Sequence, residues 1–114
     1  MSLSARRKFL NTAACELVTK ANERELSQAL TVLEGHFTEW RAGKIDCFDL
    51  GELIHRHHQG VARDLFSKYA QKPVTLLPVL VIDGLIAAEE VPPELLTELL
   101  PDITYIRKVR DSMS

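Results

Sequence analysis

The sequence has few of the residues that mark specialised protein classes. Its 114 residues include only two cysteines, five glycines and five prolines, and 6% are aromatic. Two cysteines are too few for a disulfide scaffold or a four-thiolate zinc site. The longest apolar run, interrupted by Pro78, Asp83 and Gly84, is too short to cross a bilayer, and the first residues lack the apolar stretch of a secretory signal. We therefore expect a soluble cytoplasmic protein.

The chain also has almost no net charge. Fourteen Lys and Arg residues against sixteen Asp and Glu residues give a net charge of −2, so nothing electrostatic favours binding to nucleic acid or to an acidic membrane. The length and the apolar content of 46% predict a single domain over residues 1–114. No Lys or Arg lies between Pro73 and Ile106. We interpret this acidic stretch mainly as carboxylates enriched at helix N-termini rather than as a surface for a basic partner.

Apolar spacing predicts two helices in the first part of the chain. The first runs from about Ser4 to Ala21, with Ser4 as its N-cap. Asn22, followed three residues later by Glu25, is a variant of the capping box and predicts a new helix start. Gly43 is placed to end this second helix in a left-handed conformation. The apolar stripe of the second helix contains Leu26, Leu30, Leu33, Phe37 and Trp40.

A third helix is predicted from Asp46, as its N-cap, to about Gln71, because Pro73 disfavours helical angles in the residue before it. Two phenylalanines, Phe48 and Phe66, lie away from the main apolar stripe of this helix. They require cover from the rest of the chain or from a partner. The main stripe contains Leu50, Leu53, Ile54, Val61, Leu65 and Tyr69.

The segment 74–88 has two interpretations. An apolar run, an Asp83-Gly84 turn and a second apolar run predict a β-hairpin over residues 79–88. The same residues also suit a buried helix that ends near Gly84. We favour the helix, because no other segment predicts a strand with which a hairpin could pair.

Two more helices are predicted after this segment. The first begins near Pro93, and Pro101 is expected to end or kink it. Ile103, Ile106 and Val109 give the last helix its apolar face. The sequence therefore predicts an all-α, single-domain bundle of about five to six helices, with an α+β fold containing the 79–88 hairpin as the alternative.

Two spaced patterns stand near the middle of the chain: Phe37-x-x-Trp40-Arg41-x-Gly43-Lys44-Ile45-x-x-Phe48-x-Leu50 and Ile54-His55-x-x-His58-Gln59-Gly60-x-Ala62-Arg63. Downstream come Asp83-Gly84-Leu85 and Glu89-Glu90-Val91-Pro92. Over about residues 33–100 these patterns resemble a family of short uncharacterised bacterial all-α proteins. The resemblance implies a small helical fold and a helix at 74–88, and it implies no activity. Pro78 departs from a continuous helix there, because it would introduce a kink.

The histidines of the third helix are the first candidates for chemistry. His55 and His58 are one helical turn apart and are candidate metal ligands, but a catalytic zinc site also needs a third ligand. With Arg63, the same two histidines are the candidate acid/base residues of an enzyme. The alternative is that such histidines are packed and hydrogen-bonded without a chemical role.

A second candidate site lies on the polar face of the same helix. Arg56, Gln59 and Arg63 are suited to bind a carboxylate or phosphate, and Gly60 leaves room for a close approach. The alternative is a solvated face with weak ion pairs. Trp40 is expected to anchor two helices together, with a partner interface as its second possible role.

These observations favour an interaction or regulatory module over an enzyme. We expect a small helical protein that binds another protein or forms a homodimer, with no cofactor. An enzyme or metal-dependent ligand binder centred on His55, His58 and Arg63 is the alternative. Binding to a membrane is not expected, and the balanced charge argues against binding to nucleic acid.

Overall fold

The first helix is longer than the sequence predicts. A computed structural model describes residues 2–113, and in it α1 runs without interruption over Leu3–Arg41. The predicted helix break at Asn22 is therefore wrong. The carboxylate of Glu25 does not form the expected capping box, because it accepts hydrogen bonds from Lys68 and Tyr69 instead. Ala21, next to the predicted break, is fully buried within the helix.

The two ends of α1 follow ordinary capping rules. At the start, the Ala5 N–H donates to Ser2 Oγ at 3.1 Å, so Ser2 rather than Ser4 caps the helix. At the end, Gly43 has a φ of 76°, as predicted. The Gly43 N–H donates to the Trp40 carbonyl and the Lys44 N–H to the Glu39 carbonyl. This pair of bonds is the Schellman motif, which satisfies carbonyls at a helix C-terminus.

The second helix, α2, contains a π-helical segment in its middle. It consists of Cys47–His57 in α-helical form, His58–Ala62 in π-helical form and Arg63–Lys68 in α-helical form. The predicted cap is confirmed: the Asp49 N–H donates to Asp46 Oδ1 at 2.7 Å, and the Asp46 N–H donates to Asp49 Oδ2 at 3.1 Å. The capping box therefore sets the start of α2 at Cys47, directly after the N-cap Asp46.

The segment 74–88, for which the sequence allows a helix or a hairpin, begins with a helix. Helix α3 spans Pro73–Ile82, with Pro78 buried inside it, and no strand occurs among residues 2–113. The predicted helix is confirmed up to Ile82, and the alternative hairpin is wrong. Gly84, with a φ of 79°, ends α3 in a second Schellman motif. A short 3₁₀ turn follows at Ala88–Glu90.

The last helix, α4, spans Pro93–Met113 without a break. The predicted end at Pro101 is therefore wrong. Pro101 is exposed, so water can hydrogen-bond the carbonyl that loses its N–H donor to the proline ring. Over residues 2–113 the fold is all-α, with four helices instead of the five to six predicted. None of these helices combines the length and the apolarity that crossing a membrane requires.

The contacts within the chain define two compact units. Unit 1 contains residues 1–21 and 71–114, and unit 2 contains residues 22–70. Helix α1 contributes to both units. Among the described residues, every fully buried large apolar side chain except Leu50 belongs to unit 1. The core of unit 1 consists of Leu10, Ala14, Leu17, Val18, Ala21, Leu76, Leu77, Leu80, Ile86, Val91, Leu95, Leu99 and Ile103.

The acidic stretch of the sequence lies in unit 1, and half of its carboxylates are paired there. Three acidic residues of the stretch contact basic residues of the same unit. The pairs are Arg6 with Glu94 at 3.7 Å, Lys20 with Glu90 at 3.2 Å, and Arg110 with Asp83 at 2.7 Å. These contacts count against a free acidic surface, but Asp83 lies at the C-terminal end of α3, so its place is not explained by the predicted enrichment of carboxylates at helix N-termini.

Candidate functional site

Unit 2 is a helical hairpin, and it contains every candidate site residue predicted from the sequence. Its two arms are residues 22–41 of α1 and the whole of α2. At the closed end, Trp40 Nε1 donates to Cys47 Sγ at 3.4 Å. Trp40 therefore anchors the two arms to each other, as the sequence predicts. Cys47 is a free thiol, as is Cys15 in unit 1.

The open end of the hairpin is held by a cluster around Glu25. Lys68 Nζ donates to both carboxylate oxygens of Glu25, at 3.1 and 2.9 Å, and the Tyr69 hydroxyl donates to Glu25 Oε2 at 2.6 Å. Burial of the ring, followed by the hydrogen bond to Glu25 and its negative charge, raises the pKa of Tyr69 far above its ordinary value. The three side chains are partly buried and connect residues more than 40 positions apart.

The apolar side chains on the two arms of unit 2 are only partly covered. On the α1 arm, Leu30 is 48% exposed and Phe37 is 36% exposed, and on the α2 arm Val61 is 48% exposed. Among the described residues of unit 2, Leu50 alone is a fully buried large apolar residue. The hairpin therefore has a small core of its own.

A second apolar surface lies on the outside of α2. We call it the outer stripe, and it consists of Phe48, Gly51, His55, His58, Ala62 and Phe66. Phe48 and His55 are seven residues apart, which is close to two turns of an α-helix, and His58, Ala62 and Phe66 border one surface depression on the same helix. Phe48 is 87% exposed and Phe66 is 81% exposed. Neither phenylalanine is covered by its own hairpin.

Three of the predicted site residues meet at the end of the outer stripe. His58, Gln59 and Arg63 line a surface depression of about 320 Å³, together with Ala62 and Phe66. The depression coincides with the π-helical segment. Segments of this kind often occur at functional sites, because they change where side chains project from a helix. The sequence gives one local signal for it, which is Gly60 in the interior of a helix.

His55 lies next to this depression on the same stripe. The backbone N–H of His58 donates to the carbonyls of His55 and Ile54, so the two histidines are one turn apart, as predicted. Both imidazoles are exposed. In the part of the chain that the structure describes, His55, His58 and Arg63 make no side-chain hydrogen bond or ion pair with one another.

Two other predicted residues lie outside the depression. Arg56 Nε donates to Glu52 Oε1 at 3.1 Å, an exposed pair one turn apart that belongs to the ordinary solvated face of α2. Trp40 is at the closed end of the hairpin. A side chain added at Gly60 would meet no atom within 4 Å, so the space beside this glycine is open.

The remaining two histidines are placed differently from His55 and His58. His57 is half-buried on α2. His36 lies on the α1 arm, and its Nδ1 is buried without a hydrogen bond, 3.5 Å from Glu39 Oε1. No group of three or more His, Cys, Asp or Glu side chains among residues 2–113 is arranged to hold a metal ion. Within these residues, a single chain therefore supplies no set of three metal ligands.

Comparison with known proteins adds no relative. No protein-family model, no curated protein and no solved structure matches the chain significantly. The resemblance found in the sequence stays a prediction.

Proposed function

We propose that this protein is a small helical interaction module that self-associates through unit 2. The observation that carries the proposal is the exposure of Phe48 and Phe66 on the outer stripe. Burying one phenylalanine side chain contributes about 1.5–3 kcal/mol. Two such side chains on one helix face are therefore a strong reason for association.

The small core of the hairpin supports the same proposal. Monomeric proteins rarely expose contiguous apolar surface, and large exposed patches mark interaction sites. In unit 2, the outer stripe and the partly covered apolar residues of the two arms both expose such side chains. A second copy of the chain is the simplest partner, because a two-fold dimer covers the same patch on both subunits. We also propose a cytoplasmic location, in which the free thiols of Cys15 and Cys47 would stay reduced.

The test is the oligomeric state of phenylalanine variants. We expect the untagged protein, dialysed against EDTA, to show concentration-dependent dimerisation in sedimentation equilibrium at up to about 1 mM. Phe48→Ala and Phe66→Ala should each weaken the dimer by about tenfold or more, because each removes a buried ring from the interface.

Phe9→Ala is the matched control. Phe9 is also an exposed phenylalanine, although at 48% it is less exposed than Phe48 and Phe66, and it lies in unit 1, so this variant should dimerise like the wild type. A protein that stays monomeric over the whole concentration range would contradict the proposal. Equal weakening by all three substitutions would contradict the assignment of the interface to unit 2.

The enzyme interpretation has less support. His55, His58 and Arg63 are close in the chain and exposed, but the depression that His58 and Arg63 line is open to solvent and does not include His55. We therefore assign these residues to the interaction surface.

A further inference from the structure

The outer stripe is self-complementary when two copies run antiparallel. Phe48 and Phe66 lie nine positions before and nine positions after His57. A two-fold axis that passes near His57 therefore places Phe48 of each copy opposite Phe66 of the other. Interfaces with this symmetry use the same patch on both subunits. This pairing is one form of the proposed self-association, so the metal site proposed below rests on the proposed function.

The two ends of the stripe also differ in shape and charge in a way that suits this pairing. At one end, Phe66 and Ala62 border the depression of about 320 Å³, which can receive the ring of Phe48 from the second copy. Along the polar edge, antiparallel pairing places Glu52, which binds Arg56 of its own chain at 3.1 Å, near Arg63 of the other copy. Arg63 has no ion-pair partner among the described residues of its own chain. Opposite charges at these positions favour the antiparallel arrangement over a parallel one.

The same axis brings the histidines of the two copies together. His55 is two positions before His57 and His58 is one position after it, so both are close to the axis. Each chain then supplies two exposed imidazoles, one helical turn apart. A tetrahedral Zn²⁺ site takes four ligands, and histidine nitrogens are among the atoms that Zn²⁺ binds. One chain alone does not supply such a set among residues 2–113.

We propose that His55 and His58 of two antiparallel copies together bind one divalent transition-metal ion of the Zn²⁺ class at the dimer axis. The metal site is incomplete in a single chain and exists only in the dimer. Metal binding and dimerisation are therefore coupled, because an ion that binds only the dimer shifts the equilibrium toward it. A two-helix contact of this length is small for a stable interface, so metal ligation would supply a large part of the affinity.

The experiment measures metal stoichiometry and dimer affinity with untagged protein. Isothermal titration with ZnCl₂ should give about one ion per two chains, and added Zn²⁺ should lower the dimer dissociation constant by about tenfold or more. Co²⁺ in place of Zn²⁺ should give the intense visible absorption of a tetrahedral site. His55→Ala and His58→Ala should abolish the effect of the metal, measured for each variant as the ratio of its own dimer dissociation constants with and without Zn²⁺.

His57→Ala is the matched control, because it removes a neighbouring imidazole that is half-buried and outside the stripe. This variant should keep the stoichiometry and the response to Zn²⁺. Binding of one ion per chain, or a metal response that survives in the His55→Ala/His58→Ala double variant, would overturn the metal site. A dimer that is indifferent to Zn²⁺ would overturn the metal site alone, whereas a protein that is monomeric with and without Zn²⁺ would overturn the proposed function as well.

Discussion

At the scale of single residues, one carboxylate decides how the hairpin of unit 2 closes. Glu25 accepts hydrogen bonds from Lys68 and Tyr69, and all three side chains are partly buried. Hydrogen bonds to a charged group are stronger than those between neutral groups. Because its carboxylate binds Lys68 and Tyr69, Glu25 does not cap a helix at Asn22, although its spacing from Asn22 predicts that role.

The tyrosine of this cluster gives a prediction for alkaline pH. Tyr69 keeps its proton more tightly in the folded chain than in the unfolded chain, where its pKa is near 10.0. Below that pH both states are protonated, and the stabilisation is complete. Above it, only the unfolded state loses the proton, so the free energy of unfolding should fall as the pH rises.

Urea unfolding at pH values from about 8 to 11 tests this expectation. Tyr69→Phe should flatten the alkaline part of the profile relative to the wild type. Tyr105→Phe, which changes a tyrosine that is 69% exposed in unit 1, should leave the wild-type profile unchanged. A Tyr69→Phe profile as steep as that of the wild type would contradict the role assigned to the cluster.

At the scale of elements, the ends of the helices follow local rules and their interiors do not. Asp46, Gly43 and Gly84 fix helix ends through backbone hydrogen bonds within a few residues. By contrast, the continuity of α1 through Asn22 and of α4 through Pro101 depends on what surrounds those residues. Capping is a local interaction, whereas continuation of a helix is decided by tertiary packing and solvent access.

The glycine that ends α3 gives a prediction at this scale. Gly84 has a φ of 79°, a conformation that costs a residue with a Cβ roughly 1–2 kcal/mol. Gly84→Ala should therefore lower the free energy of unfolding by about 1 kcal/mol, measured by denaturant titration. Nothing crowds this position, so the backbone conformation is the cause.

Gly35→Ala is the control for this substitution. Gly35 lies inside α1, and a Cβ there would also meet no atom within 4 Å. Alanine is the better helix former by about 1 kcal/mol, so this variant should be more stable than the wild type. Two substitutions with the same sign would contradict the conformational explanation.

At the scale of the whole molecule, apolar residues are divided unevenly between the two units. Unit 1 has a closed core, and unit 2 leaves Phe48 and Phe66 exposed and covers the other apolar residues of its arms only partly. Under the proposed function, unit 1 is stable through its own packing, whereas unit 2 buries its apolar surface against a second copy. Removing one apolar side chain from each unit should therefore have different consequences.

A comparison of Leu77→Ala with Phe66→Ala measures this difference. Leu77 is completely buried in unit 1, and its truncation should cost about 2–5 kcal/mol of stability by leaving a cavity. Phe66→Ala should change the stability of the monomer by less than about 0.5 kcal/mol, because surface substitutions have small effects. Denaturant unfolding at a protein concentration well below dimerisation tests both values. Equal losses would indicate that Phe66 is packed within the monomer.

Much of the fold was predictable from the sequence, because it depends on neighbouring residues. The all-α class, the helix at α3, the cap at Asp46 and the C-terminal glycine Gly43 all follow from apolar spacing and from short-range hydrogen bonds. Helical periodicity places Phe48 and Phe66 away from the main apolar stripe of α2, whereas their exposure is a finding of the tertiary structure. His55 and His58 were identified as neighbours one turn apart for the same reason.

Other features depended on contacts between residues far apart in the chain. The Glu25 cluster joins positions more than 40 residues apart, and no local pattern indicates it. The continuous α1, the π-helical segment at His58–Ala62 and the division into a closed unit and an open unit also became visible only in the tertiary structure. Local sequence determines which segments are helical and where many of them end, because those interactions are short-range. Tertiary structure decides which apolar faces are covered, because burial depends on what the rest of the chain places against them.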